Sequence, residues 1–160
     1  MFDFNKIGMR PRSSSGYKAA VTDDQIAELE HYCGHALPDN YKLMLQNFNG
    51  GEPEAKCLRV VDQKTGIPLK HELLDFFIVD EHKELPLNIW WTIENYSEFI
   101  GSNTLPFAEG EYSCIYFLKW KHDLAQVWCL KFDEDEEEEP EIFLIFNSFD
   151  ELLGALYNAE

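Results

Sequence analysis

The chain has 160 residues and a formal net charge of −17, from 30 acidic and 13 basic side chains. That balance argues against nucleic acid as a direct ligand, because gripping a phosphate backbone needs clustered Lys and Arg, and against docking on anionic membranes. With 45% apolar and 14% aromatic residues the chain can build a core, which rules out wholesale disorder.

A chain this long suits a single domain and can bury about 70% of its unfolded surface, so it needs no disulfide or metal to hold it together. No apolar run approaches the roughly 20 residues that cross a bilayer, and the first residues lack an apolar signal core. Cys33, Cys57, Cys114 and Cys129 are widely spaced with no C-x-x-C pair. They read as reduced thiols of a cytoplasmic protein, with Cys114 and Cys129 acting as small hydrophobes inside strand patterns.

Residues 1–16 read as a loose leader ending in Ser13-Ser14-Ser15-Gly16, and residues 17–160 as one domain. A helix is expected over 23–33. Thr22 and Gln25 form a capping box, Val21 and Ile26 a hydrophobic staple, and Gly34 a stop. A second helix opens at Leu37-Pro38, with Pro38 at its first position. Tyr41, Met44, Leu45 and Phe48 then share a face, and Asn49-Gly50-Gly51 ends the helix. Strands are expected at 57–61 and 75–79, followed by a helix over 88–100. From Leu105 onward the pattern is a β-meander with strands near 104–108, 112–119, 125–132 and 141–146. A last helix opens on a second capping box, Ser148 and Glu151, and carries Leu152, Leu153, Leu156 and Tyr157 on its face. This order describes an α+β fold: a central antiparallel sheet, a meander, flanked by helices.

The most unusual feature is the run Asp133, Glu134, Asp135, Glu136, Glu137, Glu138 and Glu139 between two apolar strands. Its plain reading is a solvated turn held open by like charges. Its functional reading is a surface that imitates nucleic-acid phosphates and steers a Lys- and Arg-lined cleft toward it. The run lacks the glycine and ligand spacing of a helix-loop-helix calcium site. Glu109 and Glu111 join it as candidate contacts, as does Trp120, which lies between Lys119 and Lys121 at a strand end where an aromatic anchor would be exposed. His31 and His35 are four apart, but Gly34 interrupts the helix between them and no third metal ligand is near. No nucleophile elbow, P-loop or dinucleotide fingerprint is present, so no catalytic residue, metal or cofactor is assigned.

The segment from Leu37-Pro38-Asp39-Asn40-Tyr41 to Asn49-Gly50-Gly51-Glu52-Pro53 resembles the signature of the SUKH superfamily. Leu105-Pro106-Phe107-Ala108, the meander and the helix opening at Ser148 are similar to later parts of the same family, so the resemblance covers roughly residues 22–157. It implies a SUKH-like α+β domain that functions by binding. For a bacterial member it implies a non-enzymatic immunity protein that neutralises a cognate polymorphic toxin, often a basic nuclease, by steric and electrostatic blocking. An intracellular regulator or scaffold that binds an endogenous partner is the other reading. The acidic run is longer than the family's usual loop.

Overall fold

The computed structural model describes residues 1–10, 20–61, 65–132 and 139–159. The first helix, α1 (Asp23–Cys33), starts where the capping chemistry requires. The Gln25 N–H donates to Thr22 Oγ1 at 3.2 Å, while Gln25 Oε1 accepts the Thr22 N–H at 2.9 Å. Val21 and Ile26 are both buried, as a hydrophobic staple demands. Gly34 then adopts a left-handed conformation, and its N–H closes on the Glu30 carbonyl at 2.9 Å.

Helix α2 (Asp39–Phe48) begins one residue later than expected, because Pro38 caps it from extended backbone at ψ 139°. Tyr41 from its first turn is fully buried and meets Phe107 and Phe149 edge-on, with ring centroids 6.0 and 5.2 Å away. Asn40, on the same turn, donates to Asp150 Oδ1 at 2.7 Å and accepts the Phe2 N–H at 3.0 Å. The motif that suggested a family therefore anchors three distant segments to one helix.

The sheet has six strands in the order β1-β2-β3-β4-β5-β6, and every neighbouring pair is antiparallel. They are β1 (Cys57–Val61), β2 (Pro68–Phe76), β3 (Thr104–Gly110), β4 (Ile115–Lys121), β5 (Leu124–Lys131) and β6 (Glu141–Phe146). Helix α3 (Ile89–Ile100) joins β2 to β3, and α4 (Phe149–Ala155) follows β6. Cross-strand partners share a face. Tyr116 and Cys129 lie on one face, Phe117 and Trp128 on the other, and Ile115 to Leu118 are buried on both. The middle of the meander is thus buried on both faces, with α3 packed on β3 and α4 on β5 and β6, giving the expected α+β fold.

Several local expectations shift, each for a physical reason. The second strand is not 75–79 but 68–76, since the polar stretch Lys70-His71-Glu72 gains its strand character from pairing with β1 rather than from apolar alternation. Glu151 reaches back to the N–H of Asn147, at 2.9 Å, and not to Ser148, so only the serine half of the second capping box forms. Tyr157 leaves the last helix altogether and exchanges two 3.0 Å hydrogen bonds with Cys57, adding a bridge to the edge of β1. Residues 1–10, read as part of a loose leader, instead form a 3-10 turn (Phe4–Ile7) whose Phe4 and Ile7 enter the core with Met9, and Arg10 bridges Glu52. Three apolar side chains in ten residues supply the burial that offsets the lost chain entropy.

The Asn49-Gly50-Gly51 stop does more than end α2. Asn49 is 4% exposed, and its amide pairs with the backbone of Val79: Nδ2 donates to the carbonyl at 3.0 Å and Oδ1 accepts the N–H at 2.8 Å. A Cβ on Gly50 would lie 2.6 Å from Ile78 Cγ2, and one on Gly51 would lie 2.6 Å from the Arg10 carbonyl oxygen. Close approach of three backbones therefore selects both glycines, in addition to their positive φ. Replacing Asn49 with alanine orphans one buried N–H and one buried C=O, and should lower unfolding free energy by about 3 kcal/mol. Urea denaturation checks this, with Gln46→Ala, an exposed polar site at the same helix end, expected within about 0.5 kcal/mol of the parent.

Candidate partner-binding site

Strand register decides which of the acidic residues can act together. Asp75, Glu109, Ile115, Leu130 and Ile142 are successive cross-strand partners, forming one row across five strands. Just beyond that row lie the Glu111–Ser113 turn joining β3 to β4 and the connection from Phe132 to β6. Glu109 and Glu111, both half-buried, and the exposed Glu139 therefore gather at one end of the sheet. Asp133, Glu134, Asp135, Glu136, Glu137 and Glu138 fall outside the described residues, within that connection. Trp120 sits at the other end. It pairs with Ala125, five residues along β4 from the Glu109 row, or about 17 Å at strand rise. There it stacks flat on His35, with centroids 5.2 Å apart and planes within 4°, between the exposed Lys119 and Lys121. The structure thus brings Glu109, Glu111 and Glu139 to one end and separates them from Trp120.

The acidic end also carries apolar surface that the sequence pattern did not reveal. Six of the eight exposed large apolar side chains among the described residues lie there: Val61, Ile67, Leu69, Leu74, Tyr112 and Ile142. The first three belong to the β1–β2 arm. Because Leu73 pairs with Gly110, the last residue of β3, the start of β2 runs on past it by about 17 Å. Tyr112 is 70% exposed. It and Ser113 occupy the two central positions of a tight hairpin turn with φ of 59° each, closed by the Cys114 N–H donating to the Glu111 carbonyl at 3.3 Å. Turns of this hand favour Asn-Gly, and a non-glycine residue there costs about 1 kcal/mol. The sequence reading placed Tyr112 inside a strand. The Gly110-Glu111 turn signal, extended by two residues, would have found it.

Aromatic and aliphatic groups amid carboxylates are the composition of a protein interface, where a few desolvated side chains carry the binding and the charges around them set encounter and register. The thiols of Cys114 and Cys129 are hydrogen-bonded to each other behind β4 and are fully buried. That bond, with His71 assisting, pulls the Cys114 thiol below its ordinary value, and it joins burial in pushing the Cys129 thiol up. Burial, and secondarily Glu30, raises the Cys33 thiol to about 12. Among the described residues no three His, Cys, Asp or Glu side chains are placed to hold a metal. All four cysteines are free and buried. A bulky aromatic disulfide reagent at pH 8 should therefore leave all four unmodified in the folded protein and titrate four in guanidinium. Rapid native labelling of Cys114 or Cys129 would show that β4 and β5 open locally.

Residues 20–155 match the model of the SMI1/KNR4 family (SUKH-1). A relative in Bacillus subtilis (strain 168), named as the SPbeta prophage-derived uncharacterized protein YokK, is 27% identical over 162 residues, covering 88% of this chain and 77% of its own. No solved structure matches significantly. Among the described residues no helix is long and apolar enough to cross a membrane.

Proposed function

The chain belongs to the SMI1/KNR4 family (SUKH-1), and from that premise we propose that it is a non-enzymatic, cytoplasmic immunity protein that binds and neutralises a cognate toxin. The observation that carries this reading is the gathering of exposed Tyr112, Ile142 and the β1–β2 arm with Glu109, Glu111 and Glu139 at one end of the sheet. Family domains bind partner toxins, and the relative named as prophage-derived supports a role tied to a mobile element.

The partner's chemistry follows from the charge. A protein at −17 is drawn to a basic surface, and a nuclease cleft lined with Lys and Arg is such a surface. Carboxylates can occupy the positions of phosphate oxygens and accept charge-assisted, bidentate hydrogen bonds from Arg. Tyr112 would fill an apolar pocket, while the acids set orientation and speed of encounter. Blocking is then steric and electrostatic, with no metal, cofactor or bond-making step.

Co-expression with the product of the adjacent upstream gene should rescue growth and yield a stable complex. In that complex, changing all seven acids of the 133–139 run to their amides should slow association at least tenfold at low ionic strength and flatten its salt dependence, with dissociation little changed. Unchanged association would make the run a solvated turn. Neither rescue nor complex would favour an endogenous regulatory partner over that toxin.

A further inference from the structure

Strand β6 reads Glu141-Ile142-Phe143-Leu144-Ile145-Phe146, with five apolar residues in succession. Such runs belong to strands buried on both faces, whereas a strand with one wet face alternates. Yet β6 is the last strand of the sheet, and none of its six side chains is fully buried. Its regular pairing with β5 runs from Glu141 to Leu144, and the register shifts only at Phe146. Among the described residues nothing pairs with its outer edge over residues 142–146. The opposite edge is treated differently, since the chain's own Tyr157 closes on Cys57 of β1.

An open, regular, apolar edge is a template for another strand, and natural proteins cover or blunt such edges. We propose that the outer edge of β6 receives an extended segment of the partner as a seventh strand, and that this segment carries Lys or Arg at its ends. Backbone groups of β6 supply the hydrogen bonds, and Ile142 and its neighbours supply cross-strand contacts. Charge selects the occupant. Glu139 is exposed one residue before Pro140, the sequence ahead of it is acidic without interruption back to Asp133, and the whole chain carries −17. A second copy would bring an equal negative charge to the same edge, while a basic strand would be attracted to it. This inference rests on the partner-binding reading and names where and how the partner docks.

The test uses the full chain and two synthetic peptides. The probe is Lys-Arg-Val-Thr-Ile-Thr-Val-Lys-Arg, capped at both ends, and the control has Glu in place of each basic residue. In titrations followed by amide shifts, the basic peptide should perturb residues 141–146 first, slow hydrogen exchange of the β6 amides, and bind at least tenfold tighter than the control. Ile142→Lys, an exposed-site change that should keep the thermal midpoint, should weaken the basic peptide at least tenfold. Three results overturn the proposal: perturbation centred elsewhere, no preference or no binding, or a free chain that is already dimeric with its β6 amides protected. Growth rescue with β6 untouched by the peptide would keep the immunity reading and remove the edge. Capture at β6 without rescue would keep the edge and remove the toxin.

Discussion

Four consecutive backbone amides hold this fold together. The N–H of Phe76 donates to the Gly51 carbonyl at 3.0 Å, that of Phe77 to Phe107 at 2.8 Å, that of Ile78 to Leu87 at 2.8 Å, and that of Val79 to the Asn49 side chain at 2.8 Å. The first and last bonds both reach the stop after α2, so residues 76–79 tie the end of α2, the bulge of β3 and the entry to α3 to one short extended stretch. The glycines at 50 and 51 permit the approach, and Asn49 makes it specific. Because buried backbone groups must be satisfied, this junction is effectively all-or-none. It fixes β2 against the helices, and the meander continues outward from β3 to β6.

That strand order places the proposed binding surface. The three short connections β1–β2, β3–β4 and β5–β6 all fall at the same end of an antiparallel meander, while α3 and the β4–β5 turn fall at the other. Helix packing buries the middle of the sheet, and the connections remain for a partner. The strained Tyr112 turn and the apolar β6 edge both depart from what stability alone would choose. Departures of that kind concentrate where a protein meets its ligand.

Much of the architecture was legible in the sequence, because it was written in local rules. The capping box at Thr22, the staple of Val21 with Ile26 and the Gly34 stop each act within a few residues. The features that were not legible depend on distance in the chain. Nothing near Tyr157 announces a bridge to Cys57, and nothing near Phe4 announces a place beside Phe48, with ring centroids 5.6 Å apart. The candidate site divides the same way. Its carboxylates could be read directly, but their grouping is a matter of strand register, which places Glu109 and Glu111 together and carries Trp120 to the far end against His35. Tyr112 escaped because a two-residue error in a turn boundary turns an exposed anchor into a strand residue.

The central claim is that the acidic, apolar end of the sheet is where a partner binds. Amide hydrogen exchange of the chain, free and in complex with the proposed toxin partner, addresses it directly. The account predicts slowed exchange at residues 109–114 and 139–146 and none at 119–124. Protection confined to the Trp120 end, or to the exposed face of α1, would contradict it.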